Sequence, residues 1–294
     1  MTGSDRKAPN ALMREAASLL HLLGGMGSRH LVLVGGMVPP LLVPNAPIAH
    51  LGSADIDFCL SVAMTEGATR QYAASLQELI APHFESASLA GHRWRKRPDA
   101  PGLPLIVDFL AAKTEETAVS PEGAIEPVSE TVEQNLGVQL TPFAIRAGRI
   151  VDEDAETITV EDVDLLYDRA TADVDMRHAG PVGFLMAKAD ALFDRNETKD
   201  GYDVAWWCLN AAPTSKAVAE IVLTRPAYRN ELFPEAVAEL RRAFKTPDAP
   251  GPHGYATETH PDLKPGAPDY DVARNEGYTA VSTVVDELAA SLWK

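Results

Sequence analysis

Residues 30–60, HLVLVGGMVPPLLVPNAPIAHLGSADIDFCL, constrain the fold of this chain more than any other stretch. A β-type apolar run, Leu31-Val32-Leu33-Val34, ends in Gly35 and Gly36. A proline-rich spacer follows, and a second apolar run carries Asp55-Ile56-Asp57. Residues two apart on a strand project to the same face, so Asp55 and Asp57 stand side by side. Two carboxylates on one face, beside a glycine turn, can hold a divalent cation against a phosphate. Gly36 opens a helix or turn, because glycine lets a backbone approach a ligand closely. A normal helix does not run through Pro39-Pro40, so any helix here starts with them or is distorted.

The flanking sequence supplies partners for these strands. Residues 9–24 place apolar side chains at helical spacing and stop at Gly24-Gly25, which predicts a helix packed on the first strand. Residues 66–84 predict an amphipathic helix with Ala73, Leu76, Leu79 and Ile80 on one stripe. A strand is expected at 84–89. The basic run 92–97, His-Arg-Trp-Arg-Lys-Arg, then reads as a solvated turn or a guide for RNA. After a Pro/Gly turn, residues 103–110 form an apolar strand broken only by Asp108, near its end. The polar, acidic stretch 113–140 reads as a loop with a short helix, 141–151 as a hairpin arm, and 157–160 as a short strand.

From about residue 179 the pattern turns helical. Helices are predicted at 181–195, with Lys188 in the middle, and at 214–223, 234–244 and 276–292. Lys199-Asp200-Gly201-Tyr202-Asp203 opens the run 204–209, where Trp206 and Trp207 take core positions. Segment 246–271 is rich in Pro and Gly and reads as an extended loop. The architecture therefore divides near residue 170, into a mixed domain, 1–170, and a helical domain, 171–294.

Composition narrows the function. A net charge of -16 disfavours broad, non-specific binding to nucleic acid, which draws on clustered Lys and Arg. No apolar run reaches the roughly 18 residues of a membrane span, so no membrane partner is expected. The N-terminus lacks the apolar core and cleavage site of a signal peptide, which points to a cytoplasmic protein. Cys59 and Cys208 both sit in apolar runs, as buried free thiols do.

An unpaired aspartate inside an apolar strand is costly, so Asp108 calls for a partner or a metal. With Asp55 and Asp57 it completes a set of three carboxylates for Mg²⁺ or Mn²⁺, and it could accept the proton of an attacking hydroxyl. Gly35 and Gly36 would offer backbone N–H groups to a phosphate tail.

The order strand, Gly-Gly, spacer, Asp-x-Asp, then a third Asp on a later strand resembles the nucleotidyltransferase (polymerase-β-like) fold. Lys188, followed by Lys199-Asp200-Gly201-Tyr202-Asp203, is similar to the closing motifs of the AbiEii/AbiGii toxin family. The resemblance spans about residues 30 to 210. It implies an α+β fold, with a mixed sheet, flanking helices and a C-terminal helical lobe. It also implies an Mg²⁺-dependent transfer of a nucleotide monophosphate from an NTP, with release of pyrophosphate. Asp55, Asp57 and Asp108 would be the metal ligands and Lys188 would contact the triphosphate. Lys199, Asp200 and Asp203 would shape the nucleotide pocket. Such sites often carry Gly-Ser, and here Gly36 holds the second position, so Ser53 is the candidate hydroxyl. The acceptor implied is the 3′ end of a tRNA or another RNA, with an antitoxin protein as partner. Two alternatives keep the fold: a small, aminoglycoside-like hydroxyl acceptor, or a catalytically silent protein that binds a nucleotide or a partner.

Overall fold

The computed structural model describes residues 9–23, 29–60, 75–88, 91–113, 140–194 and 197–292. The expectations for 66–74 and 114–139 lie outside the described residues. In chain order the elements begin with α1 (Pro9–Leu22), β1 (Leu31–Val34), a 3-10 turn (Gly35–Met37), α2 (Val38–Leu42) and β2 (Asp55–Leu60). Next come β3 (Phe84–Ser86), β4 (Arg93–Lys96), β5 (Ile106–Ala112), β6 (Phe143–Ile145), α3 (Gly148–Glu153), β7 (Glu156–Leu165) and β8 (Ala170–His178). Six α-helices and a 3-10 turn (Pro226–Arg229) complete the described chain: α4 (Pro181–Asp194), α5 (Thr198–Asn210), α6 (Ser215–Leu223), α7 (Phe233–Ala243), α8 (Pro250–Thr259) and α9 (Pro268–Leu292).

The described strands form one 8-stranded, open, mixed sheet in the order β3-β4-β5-β2-β1-β8-β7, with β6 paired to β5. β1 and β2 are antiparallel, whereas β2 and β5 are parallel. Alternation along β2 divides its side chains between two cores. Ile56, Phe58 and Leu60 pack with α1, in a cluster that also takes Leu31, Leu33, Val107 and Phe109. Cys59 turns the other way with Val32 and Val34, onto buried side chains of α4 to α9. The helices therefore cover the face to which Asp55 and Asp57 belong.

The chain enters that face through a short, proline-started helix. Pro39 and Pro40 occupy the first turn of α2, where a missing N–H costs nothing, as their sequence position required.

Several segments depart from expectation. The strand containing Asp108 begins at Ile106, so Asp108 lies in its first half. The segment 141–151 is no hairpin arm: β6 runs parallel to β5 and leads straight into α3. Gly148 allows this, since a Cβ there would meet the Ala112 backbone at 2.5 Å. The short strand at 157–160 is part of ten-residue β7, bent by a register shift between Val160 and Val163. Its partner β8 carries the sheet beyond residue 170 to His178, so strands extend past the expected division. The loop at 246–271 contains helix α8. Pro250 sits in its first turn, and Gly254 lets it close on α5, where a Cβ would lie 2.5 Å from the Thr198 carbonyl oxygen.

Candidate functional site

The parallel pairing of β2 and β5 sets Asp57 opposite Asp108 and Asp55 opposite Ile106. One carboxylate oxygen each from Asp55, Asp57 and Asp108 lies within 4.8 Å of the other two. Asp55 and Asp108 are buried, and Asp57 is half-buried. The glycine turn is shaped around them. Gly35 has φ +74°, and a Cβ there would fall 1.9 Å from Asp57 Oδ2. Only glycine meets both conditions. A Cβ on Gly36 would lie 2.9 Å from Ser53 Oγ and 3.3 Å from Asp203 Oδ2. Ser53 thus fills the space that a side chain at 36 would need. Its hydroxyl donates to Asp55 Oδ1 at 2.8 Å.

Two cations sit on the outer carboxylates. Arg93 donates from Nε and Nη2 to the two oxygens of Asp108, at 2.8 and 2.7 Å, from the position opposite it on β4. Lys199 Nζ donates to Asp55 Oδ2 at 3.0 Å. Burial pushes the Asp55 carboxyl up, but Lys199 and the Ser53 hydrogen bond outweigh it and hold the group below its usual range. The Asp108 hydrogen bonds raise Arg93 above the ordinary guanidinium range.

The run 92–97 is therefore not a solvated turn. It forms β4, and much of its charge is turned inward. Lys96 is buried against Glu15 of α1 at 2.7 Å, and Trp94 Nε1 donates to the Gly91 carbonyl at 2.9 Å. Arg97 reaches Glu85 at 3.7 Å. Arg95 alone of the four cations is exposed.

Lys188, Asp200 and Asp203 form a second cluster behind Gly36. Lys188 Nζ lies 2.8 Å from Asp200 Oδ1 and 2.6 Å from Asp203 Oδ2, with all three side chains at most 3% exposed. His50 closes it. The Gly52 N–H donates to His50 Nδ1 at 3.0 Å, which leaves Nε2 as the protonated nitrogen facing Asp203 Oδ1 at 3.0 Å. Burial raises the Asp203 carboxyl, yet Lys188 and His50 prevail and leave it well below its ordinary value. The spacing of Lys199, Asp200 and Asp203 on α5 explains the split. Lys199 points to the sheet carboxylates, while Asp200 and Asp203, three apart, share one helix face toward Lys188.

Tyr202, between them, accepts the Leu51 N–H at 3.0 Å and packs on His50 and Tyr255. Trp206 and Trp207 are buried in the helical core, as expected, and Trp206 Nε1 donates to the Ile48 carbonyl at 3.1 Å.

A cleft of about 370 Å³ opens over the first cluster. Gly35, Asp57, Arg93 and Asp108 lie on its sheet side, Lys188, Asp190 and Glu197 on its helix side, and Leu110, Phe143 and Ile145 add apolar wall. Asp190 is tied down by the Ala147 N–H at 2.8 Å and by Arg146 at 2.9 Å. His92 also lines the cleft, and burial lowers its imidazole below the usual value despite nearby Asp108. No sequence pattern singles out His92 or Asp190 as cleft residues, because their place depends on how β4 and α4 meet in space. Compared with family models, with curated proteins and with solved structures, the chain finds no match.

Proposed function

We propose that this chain is a divalent-metal-dependent nucleotidyltransferase of the polymerase-β-like kind, acting as the toxin of a toxin–antitoxin pair on the 3′ end of an RNA. The observation that carries this reading is the convergence of Asp55, Asp57 and Asp108 within 4.8 Å beneath a cleft with Lys188 on the facing wall. The donor set fits the implied ion, since hard carboxylate oxygens suit Mg²⁺ or Mn²⁺. Bound there, the cation would supply positive charge to the phosphates during transfer. The cleft volume falls in the range of sites that hold nucleotide-sized ligands, about 300–1,000 Å³.

The residues divide the remaining work. Arg93 grips both oxygens of Asp108 and makes it a fixed charge anchor. Asp57, half-buried at the cleft, is then the carboxylate placed to take the proton of the acceptor hydroxyl. The hydroxyl oxygen forms its bond to the α-phosphorus as the bond to pyrophosphate breaks. Lys199 offsets the charge of Asp55 and holds its carboxylate beside the other two. Lys188, held by Asp200 and Asp203, fixes α4 against α5 and so shapes the wall of the cleft.

The test incubates purified protein with Mg²⁺, labelled NTPs and total RNA. Label in RNA, lost in Asp57→Asn, supports the reading. Label only in a small hydroxyl compound supports the same chemistry with a different acceptor. A second reading, of a catalytically silent nucleotide-binding protein, is favoured by one observation: Arg93 and Lys199 already stand on two of the three carboxylates. Under that reading NTP binds without transfer to any acceptor.

A further inference from the structure

We propose that the end of the cleft formed by His92, Leu110, Phe143 and Ile145 is a subsite for a nucleobase, and that His92 reads the edge of that base. The inference rests on the nucleotidyltransferase reading for its ligand class, and on separate observations for its place.

The first observation is the polarity of the cleft along its length. Val34 and Gly35 mark one end, since Val34 of β1 pairs with Asp57 of β2. Asp57 and Asp108 follow, side by side on β2 and β5. One step along β5 comes Leu110, opposite Phe143 of β6, with Ile145 two residues on. A ligand whose phosphates lie over the aspartates extends its remaining part toward this apolar end.

The second observation is that Leu110, Phe143, Ile145, Ala187 and Ala191 are only partly buried although they line a cleft in the body of the protein. Apolar surface held in a concavity is surface that a ligand buries on binding. The ring pair is suited to a flat partner. His92 and Phe143 meet edge to face, with centroids 5.5 Å apart and planes at 60°. Aromatic faces of this kind stack on any base.

The third observation gives the base its edge contact. His92 Nδ1 is buried and has no hydrogen-bond partner among the described residues, so a base in the cleft meets it once the ring turns that edge outward. Buried polar atoms are as a rule hydrogen-bonded, and exceptions call for an unplaced partner. A base bears donors and acceptors on its edge, whereas an aliphatic polyol would leave the apolar wall and the rings unmatched. The main chain at His92 is tied to β5, since its carbonyl accepts the Phe109 N–H at 2.9 Å, while the ring is free to turn about its own bonds.

Two sources offer the same chemistry, the incoming NTP and the terminal nucleotide of an RNA acceptor. Calorimetry with the 294-residue chain and Mg²⁺ separates them. The probes are ATP, GTP, CTP and UTP, inorganic tripolyphosphate, and a short CCA-ended oligonucleotide, each added alone. The variants are Phe143→Leu, which keeps apolar bulk without a flat face, and His92→Phe, which keeps a ring without its nitrogens. Thermal unfolding confirms that both fold.

Loss of one stacking contact is expected to weaken base-bearing probes about tenfold in Phe143→Leu while tripolyphosphate is unchanged. His92→Phe is expected to level the preference among the four NTPs more than it lowers affinity. If NTPs weaken, the subsite holds the incoming base; if only the oligonucleotide weakens, it holds the acceptor's base. NTP and oligonucleotide binding that both variants leave intact overturns the subsite while the proposed function stands. If the wild-type chain binds neither NTP nor tripolyphosphate, the nucleotidyltransferase reading falls and takes the subsite with it.

Discussion

Two groups of charged side chains meet at Gly36 and are built differently. Lys188, Asp200, Asp203 and His50 are sealed: their side chains are at most 3% exposed, and both oxygens of Asp203 are engaged. Asp57 and Asp108 front a cleft with Asp55 buried beside them, and the cations on the cluster, Arg93 and Lys199, are 37% and 21% exposed. A closed polar network in low dielectric gains from every partner and is costly to break, so it serves as scaffold. A network open on one side can exchange a protein cation for a ligand. The difference assigns Lys188 first to the scaffold. It ties α4 to α5, and through His50 it fixes the loop that delivers Ser53 and Asp55 to the sheet.

The sharpest break is therefore at Lys188. Lys188→Met leaves two buried carboxylates without their shared cation, and a loss of about 3–5 kcal/mol of stability in urea unfolding is expected. Asp57→Asn, in the open cluster, should change stability by no more than about 1 kcal/mol and remove Mn²⁺ binding. A stable Lys188→Met protein that loses only NTP affinity would reverse the assignment and make Lys188 a direct phosphate ligand.

The glycines sharpen the same contrast at intermediate size. Gly35→Ala meets a left-handed backbone, costing about 1–3 kcal/mol, before its Cβ meets the Asp57 carboxylate at 1.9 Å. Metal binding should fall with stability, because Asp57 must move. Gly36→Ala has an ordinary backbone, and its nearest neighbour is the Ser53 hydroxyl at 2.9 Å, which can rotate. Its loss in thermal unfolding should be under half that of Gly35→Ala. Equal losses would show that the space behind Gly36 is as rigid as the space in front of it.

These two glycines also mark how far the sequence carries. The run of Val34, Gly35, Gly36 and the Asp-x-Asp pair was legible because strand alternation has period two and glycine beside carboxylates has few uses. Asp108 was legible because a carboxylate in an apolar run needs a partner. That partner, Arg93, was hidden: its pairing exists only in the β4–β5 register, which follows from tertiary packing. The same holds for Lys96 and Glu15, far apart in the chain and 2.7 Å apart in space. Helix α8 was obscured by the glycines that let it close on α5, since local propensity counts them as breakers and packing uses them as clearance. β8 was missed because alternate residues such as Asp173 and Asp175 face solvent, and its apolar side is short.

The smallest expected effect falls on Arg93. Its side chain is 37% exposed, so water screens the pair and enters the space that Arg93→Ala opens beside Asp108, and stability should fall by about 1 kcal/mol. The informative readout is Mn²⁺ affinity by paramagnetic titration. Removing a positive charge beside the carboxylates strengthens their field, and a rise of about three- to tenfold is expected for charges roughly 6 Å apart screened close to the level of bulk water. Lys199→Met should act in the same direction, since Lys199 stands on Asp55. If Arg93→Ala instead weakens Mn²⁺ binding, the guanidinium is holding Asp108 in its ligating rotamer. The open cluster would then depend on a fixed partner as the sealed one does.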